Sequence, residues 1–216
     1  MLEKMDAFFD ARLSEYDTHM LEDILGAKEF YPFTAAQLPM EESANVLDLG
    51  CGTGLELGYY FPLNPKATIT AVDMAKGMLS QLERKFSAFK ITTCLGSYFD
   101  LPLGEACFDA AVSVESLHHF TMEEKLPLYA KLHRALREGG YFILTDYFAR
   151  SDEEEAFFQG ELLRLKKEQG ITDDTFYHYD TPLTVSHEIQ VLLQGGFSKV
   201  TVLNQWGATY TLKAEV

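Results

Sequence analysis

The sequence contains little cysteine, and this shortage excludes two common ways of building a small protein. Its 216 residues include only 3 cysteines, an odd number at spacings that suit neither a disulfide framework nor a zinc centre. Cys51, Cys94 and Cys107 each stand beside an apolar strand-like run. We therefore expect three buried free thiols and no metal site.

Long apolar runs and basic residues are also scarce. No apolar stretch reaches the length that crosses a bilayer, and residues 1–10 lack the apolar core of a secretion signal. The 18 Lys and Arg residues are outnumbered by 33 Asp and Glu residues, which gives a formal net charge of −15 at pH 7. Because such a charge repels phosphate backbones and anionic lipids, we expect no direct nucleic-acid partner, no membrane partner and a cytoplasmic location.

Apolar residues, in contrast, make up 47% of the chain, enough for one continuous core in a single domain of this length. Strand-like apolar runs alternate with segments of helical periodicity through the middle of the sequence. The predicted strands are residues 45–49, 68–72, 91–95, 108–114 and 141–145, and the predicted helices are 54–61, 74–86 and 121–137. This alternation is typical of an α/β domain whose parallel strands are buried on both faces.

The last third of the chain departs from this alternation. Ser151 precedes four consecutive acidic residues, which predicts a helix N-terminus and a solvated helix to about residue 169. A further helix is predicted over 184–193, and strand-like runs follow at 199–204 and 208–213. Only a short turn separates these two runs, so we expect them to pair as an antiparallel hairpin.

A glycine-rich loop follows the first predicted strand, with the sequence Val-Leu-Asp-Leu-Gly-Cys-Gly-Thr-Gly over residues 46–54. Glycine at every second position permits positive φ angles and lets a ligand approach the backbone at the carboxyl end of the strand. A dinucleotide site requires a further glycine where Leu55 stands. The loop therefore predicts a ligand site and argues against a nicotinamide or flavin cofactor.

The Asp-x-Gly-x-Gly-x-Gly form of this loop resembles the cofactor loop of class I S-adenosylmethionine-dependent methyltransferases. The resemblance continues to residue 147 through Leu-Pro, Phe-Asp, Leu-His-His and Gly-Gly segments. It implies a Rossmann-like, seven-stranded, mostly parallel sheet with a C-terminal antiparallel hairpin, helices on both faces and an N-terminal lid helix. It also implies one domain over residues 1–216, with lid helices in 1–40 and a helical insertion in 148–182.

A set of cofactor contacts follows from the loop and from this resemblance. Asp73 ends the second predicted strand, where a carboxylate can accept hydrogen bonds from two vicinal ribose hydroxyls, although it could instead cap the next helix. Ser97 stands where the family has an aspartate that meets adenine. The complete predicted set is Asp48, Gly50, Cys51, Gly52, Gly54, Asp73, Met74, Ser97, Tyr98, Glu115 and Tyr16.

The N-terminal segment resembles the lid of the subgroup that includes ubiquinone and menaquinone methyltransferases. Tyr16 and His19 are the candidate lid residues, and plain packing of an aromatic-rich helix is the alternative. Glu115 and His118 follow the fourth predicted strand and are the candidate catalytic bases, whereas His119 is expected to pack beneath the loop and bond to backbone. A thiolate or other soft acceptor would need no base.

The predicted function is methyl transfer from S-adenosylmethionine to a small-molecule acceptor by direct in-line displacement, in a monomer or homodimer. Aromatic residues of the insertion are expected to line the acceptor pocket, namely Phe157, Phe158, Phe176, Tyr177 and Tyr179. The C-terminal part also resembles carboxy-S-adenosylmethionine synthases, but these need an arginine there and this chain has none after Arg164. Such a synthase and a non-catalytic cofactor-binding module are the alternatives.

Overall fold

The computed structural model describes residues 1–216 and contains one seven-stranded sheet. The strands are β1 (Asn45–Leu49), β2 (Thr68–Asp73), β3 (Lys90–Leu95), β4 (Phe108–Val114), β5 (Leu136–Tyr147), β6 (Lys199–Trp206) and β7 (Thr209–Glu215). They lie in the order β3-β2-β1-β4-β5-β7-β6. The first five strands are parallel, and β7 pairs antiparallel with both β5 and β6. The predicted fold class is confirmed.

Helices cover both faces of this sheet. They are α1 (Met5–Glu22), α2 (Ala27–Ala35), α3 (Leu55–Leu63), α4 (Lys76–Lys85), α5 (Met122–Ala135), α6 (Asp152–Glu168) and α7 (Val185–Gln194), with a 3-10 turn at Leu117–His119. Alternate residues of a strand point to opposite faces. Leu47 and Leu49 therefore pack with α5 and α7 in one apolar core, whereas Val46 packs with α2, α3 and α4 in the other. None of these helices has the length and apolar character of a membrane span.

The sheet order brings three loops to one edge. β1 pairs in parallel with β2 on one side and with β4 on the other, so the connections that leave β1 and β4 run to opposite sides of the sheet. Gly50 follows β1, Asp73 ends β2 and Glu115 follows β4. This edge is the position where open α/β sheets bind ligands.

Two sequence predictions are wrong in detail. The third predicted helix was expected to reach residue 137, but α5 ends at Ala135 and β5 begins at once, because Leu136 already pairs with Phe108 of β4. Only Cys51 of the three thiols is buried. Cys94 is half-buried because it lies on the edge strand β3, and Cys107 is exposed in the turn that enters β4.

Candidate functional site

The glycine loop follows a path that side chains would block. Gly50, Gly52 and Gly54 have φ angles of +70°, +51° and +75°, which L-residues rarely adopt. The amide of Gly50 donates to the carbonyl of Val72 at 2.8 Å, so the loop is tied to the end of β2. A Cβ on Gly50 would lie 2.0 Å from the hydroxyl oxygen of Ser116. Glycine is thus required here by backbone geometry and by close packing.

Asp73 connects this loop to helix α4. Its Oδ2 accepts a hydrogen bond from the amide of Gly52, and its Oδ1 accepts one from the amide of Ala75, both at 2.8 Å. Burial raises the pKa of Asp73, and the bonds from Ala75 and Gly52 oppose that rise. A carboxylate offers about four acceptor sites. Asp73 therefore fixes the turn before α4 without capping the helix, whose N-cap is Ala75, and still has acceptor capacity for a ligand's hydroxyls.

A small cavity of about 40 Å³ lies at the loop. Eight of the eleven predicted cofactor residues line it, namely Tyr16, Gly50, Gly52, Asp73, Met74, Ser97, Tyr98 and Glu115. Asp48, Cys51 and Gly54 do not. The sequence analysis missed Ser116, although this residue directly follows Glu115 and its hydroxyl lies 3.2 Å from that of Tyr98.

Two buried carboxyl groups, those of Asp48 and Glu56, lie under the glycine loop. Oδ2 of Asp48 and Oε1 of Glu56 have no hydrogen-bond partner. Burial raises the pKa of both groups, and the neighbouring Glu56 raises that of Asp48 further. Both shifts disfavour two negative charges at this buried place. Orphaned carboxyl oxygens at this place fit a ligand that brings positive charge to the loop.

Helix α1 closes the site from above. A Cβ on Gly52 would lie 3.4 Å from the hydroxyl oxygen of Tyr16, so the tyrosine ring covers the loop. Asp17 holds the helix in place, since it accepts hydrogen bonds from the Thr53 hydroxyl and, at 2.8 Å, from Nζ of Lys85. The arrangement is that of a lid latched onto the loop that it covers.

A second cavity, of about 1240 Å³, opens between α1 and the carboxyl edge of the sheet. Phe9, Tyr16, Glu115 and His119 line both cavities and form a shared wall between them. His19, a predicted lid residue, lines this cavity too. The two spaces are therefore adjacent, with acidic and histidine side chains at their junction.

The five aromatic residues that were predicted to line an acceptor pocket lie outside the large cavity. Phe157, Phe158, Phe176, Tyr177 and Tyr179 do not line the large cavity. Helix α6 buries only one residue, with Phe157 exposed and Phe158 half-buried, while the ring of Phe176 packs against Phe99 and Phe120. The aromatic residues that do line the cavity are Phe8, Phe9, Tyr16, Tyr147 and Trp206.

The predicted catalytic residues lie in a cluster of carboxylates at the shared wall. Oε1 of Glu115 accepts a hydrogen bond from the hydroxyl of Thr209 at 3.1 Å, and burial, followed by the charge of Asp146, raises the pKa of Glu115 to about 8. Nδ1 of His118 lies 2.5 Å from Oδ1 of Asp146. Burial opposes a charged imidazole, but Asp146 and Asp180 outweigh it and raise the pKa of His118 to about 9. Both groups hold a proton at neutral pH.

His119 has more partners than the sequence suggested. Its Nδ1 lies 3.3 Å from the carbonyl oxygen of Tyr179, as expected for a backbone contact, but also 3.1 Å from Oδ1 of Asp180. Burial, followed by the charge of His118, lowers the pKa of His119. Although burial acts against it, the hydrogen bond with His119 and the charge of His118 lower the pKa of Asp180 below its usual range.

Asp146 and Asp180 were not predicted. Asp146 follows the fifth predicted strand, and the rule that identified Asp73 at a strand tip could have found it. Asp180 lies in an irregular segment 60 residues beyond the histidines, where no local pattern marks it.

Comparison with known proteins adds a family. A family model described as a methyltransferase domain matches residues 46–140. The biotin biosynthesis bifunctional protein BioHC of Teredinibacter turnerae is 31% identical over 69% of this chain and 30% of its own length. The fatty-acid O-methyltransferase of Mycolicibacterium smegmatis is 32% identical over 57% of this chain and 44% of its own length. The chain thus spans less than half of these curated relatives.

The fold comparison agrees. The crystal structure of a putative O-methyltransferase from Nostoc punctiforme superimposes with a TM-score of 0.72 at 20% identity. The match covers 99% of this chain and 62% of that one. Since the likeness includes nearly every residue, α1, α6 and the C-terminal hairpin belong to the shared fold.

Proposed function

Residues 46–140 match a family model described as a methyltransferase domain, and on that premise we propose that the chain is a class I, S-adenosylmethionine-dependent methyltransferase that moves a methyl group between its two cavities. The cofactor is held at the glycine loop, and a small-molecule acceptor is held in the large cavity. The shared wall of Phe9, Tyr16, Glu115 and His119 carries this proposal, because a group that leaves one cavity through this wall enters the other.

The residues at the loop suit each part of S-adenosylmethionine. Asp73 has acceptor sites left for the two ribose hydroxyls, and Met74, Ser97 and Tyr98 line the space beside it for the adenine. The buried carboxyl pair lies beneath the loop, where the ligand's positive groups favour its ionised form. The other three predicted residues act indirectly in this proposal. The loop residues Cys51 and Gly54 shape the turn, and Asp48 supplies a carboxyl group beneath it.

The lid must open for binding. Ligand pockets commonly measure about 300–1,000 Å³, and the small cavity of about 40 Å³ is far below this range. Tyr16 occupies the space over the loop, so α1 moves outward when the cofactor enters and closes over it afterwards. This lid also supports the finer assignment to the subgroup that includes ubiquinone and menaquinone methyltransferases.

The protein contributes mainly by positioning the two reactants and by excluding water from them. Bound S-adenosylmethionine supplies a methyl group that its positive sulfur has already activated. Closure of α1 excludes water and holds the acceptor in line with that methyl group, which alone can supply several kcal/mol. Glu115 and His118 are the proposed catalytic residues, because both line the large cavity, where they can hydrogen-bond the acceptor's heteroatom, and Glu115 also belongs to the shared wall.

The acceptor proposed here is an oxygen on a molecule with an apolar portion. Two observations support this choice, namely the printed O-methyltransferase names of the relatives and the apolar stretch of the large cavity. That stretch is formed by Met20, Ile24, Leu25 and Trp206. Fatty acids and alkyl phenols are therefore the first acceptors to test.

Mass spectrometry under native conditions tests the proposal most directly. We expect the purified protein to carry S-adenosylmethionine or its demethylated product, and to show the mass of a monomer or homodimer. Incubation with methyl-labelled cofactor and the acceptor panel should then label one product. A heavier, carboxylated ligand would favour the synthase alternative, and cofactor binding without any labelled product would favour a non-catalytic module. Folded protein that binds neither cofactor form would refute the proposal.

A further inference from the structure

Three side chains in the large cavity bring possible metal-ligand atoms close together. Nδ1 of His119 lies 3.1 Å from Oδ1 of Asp180, and Nε2 of His118 lies 3.7 Å from the same oxygen. All three atoms lie within 4.8 Å of one another. Ligands at 2.0–2.2 Å from a tetrahedral zinc ion are separated by roughly 3.3–3.6 Å, and the two distances to Oδ1 of Asp180 are close to this range.

We propose that His118, His119 and Asp180 bind a divalent transition-metal ion of the zinc type. Two imidazole nitrogens and one carboxylate oxygen favour zinc, cobalt or nickel over magnesium and calcium, which prefer oxygen ligands throughout. Three protein ligands leave one position open, as in catalytic metal centres. The cysteines, from which no metal site was expected, take no part.

The carboxylate of Asp146 orients His118, one of the three proposed ligands. Asp146 lies 2.5 Å from Nδ1 of His118, so Nδ1 donates its proton to this carboxylate, and a metal ion would take the place of the second imidazole proton on Nε2. Metal-binding histidines commonly have such a partner, which fixes the tautomer and the ring orientation. Asp146 is itself buried, and its other oxygen accepts a hydrogen bond from the amide of Leu117 at 2.8 Å. The orientation of His118 is thus built into the backbone.

The backbone also holds the three ligands together. The 3-10 turn Leu117–His119 places the two imidazole rings side by side, with centroids 4.0 Å apart. The amide of Thr181 donates to the carbonyl of His118 at 2.7 Å, which fastens the segment of Asp180 to this turn. Both histidines are buried. The site therefore needs little rearrangement to bind an ion.

The position of the site suggests what the ion does. His118, His119 and Asp180 line the large cavity, and His119 also belongs to the wall shared with the small one. An ion here would face the acceptor and would lower the pKa of a coordinated hydroxyl, so that the acceptor would give its proton to solvent while the cavity is still open and would meet the methyl group as an oxyanion. This catalytic consequence depends on the proposed function, whereas metal binding itself does not.

Metal titration of tag-free protein, stripped with a chelator and dialysed, tests the inference. We expect one equivalent of Co²⁺ to give the visible absorption of a tetrahedral site. Zn²⁺ should displace the Co²⁺, with a dissociation constant below about 10 μM. His119→Ala and Asp180→Ala should each weaken binding by at least tenfold. Asp146 is not itself a proposed ligand, but Asp146→Asn should still weaken metal binding by about 10- to 100-fold, because it removes the carboxylate that orients His118.

His187→Ala is the matched control. His187 also contacts two acids, Glu155 at 2.9 Å and Asp152 at 3.9 Å, but lies outside both cavities, so its loss should leave metal affinity unchanged. Thermal unfolding and S-adenosylmethionine affinity are measured on every stripped variant. Stripped protein that binds the cofactor but no Co²⁺ or Zn²⁺ overturns the inference and leaves the proposed function intact. Binding that survives His119→Ala, or disappears in His187→Ala, overturns it as well.

Discussion

The hydroxyl of Tyr16 lies over Gly52, where a Cβ on the glycine would come within 3.4 Å of the hydroxyl oxygen. The lid and the loop are therefore one packed unit in this structure, and their separation controls access to the small cavity. Asp17 adds a polar latch one residue further along α1, through its bonds to Thr53 and Lys85.

Removing the Tyr16 ring should speed cofactor entry. In Tyr16→Ala the space over the loop is open, and an opening free energy lowered by about 1.4 kcal/mol gives about tenfold faster association. Stopped-flow binding of S-adenosylmethionine measures this rate. Tyr59→Ala, at a half-exposed tyrosine of α3 outside both cavities, is the control. An unchanged association rate in Tyr16→Ala would show that α1 does not gate the site.

Loss of the Asp73 carboxylate should weaken the cofactor complex. Asp73→Ala removes the proposed ribose contacts, and we expect the affinity for S-adenosylmethionine to fall by about 1–3 kcal/mol in calorimetry. Because Asp73 also bonds to Gly52 and Ala75, unfolding is measured in parallel to detect a loop defect. Asp100→Ala serves as the control at an exposed acid. Equal affinities for wild type and Asp73→Ala would remove this residue from the ribose.

The buried pair beneath the loop should make stability depend on pH. The pKa values of Asp48 and Glu56 are raised in the folded state, so their protonated forms stabilise it at low pH, and this contribution is lost as pH rises through the folded pKa values. The difference in unfolding free energy between Glu56→Gln and wild type should therefore shift in favour of the variant by about 1–3 kcal/mol when the pH is raised from 5 to 8. Urea unfolding at both pH values measures the difference.

Glu123→Gln is the control for that experiment. Glu123 is exposed in the first turn of α5, and its substitution should leave the pH dependence of unfolding unchanged. If the free energy of unfolding changed with pH equally in wild type and Glu56→Gln, the buried pair would not be the source of the pH dependence.

A buried ion pair should be costly to break but not to replace. Nζ of Lys125 lies 2.6 Å from Oε2 of Glu188, and the two side chains are only 2% and 0% exposed. Lys125→Met strands the glutamate and should cost about 3–5 kcal/mol in the free energy of unfolding. The double variant Lys125→Met/Glu188→Leu should recover part of this loss in urea titrations. A double variant as unstable as the sum of its single variants would exclude this account.

Local patterns made much of the fold predictable. Apolar runs located β1, β2 and β4 closely, since buried strands leave a periodicity within a few residues. The glycine loop was predictable for the same reason, because a tight turn against Ser116 demands glycine at fixed positions. Asp73 followed from its place at the end of a strand.

Contacts between distant segments were not predictable. Asp180 meets His118 and His119 across about 60 residues of chain, and Lys85 meets Asp17 across 68. The position of the α6 phenylalanines outside the large cavity was unpredictable for the same reason, because it too depends on contacts between distant segments. The exposure of these phenylalanines depends on how that helix packs in three dimensions, which a single sequence does not encode locally.

The wall common to both cavities has a kinetic consequence. Phe9, Tyr16, Glu115 and His119 line both cavities, so we expect a bound nucleotide on one side of the wall to fix these side chains before an acceptor binds on the other. Turnover should therefore obey a compulsory-order scheme in which the acceptor joins second and leaves first. Initial-rate plots would then intersect, and the demethylated nucleotide would inhibit competitively against its parent but not against the acceptor.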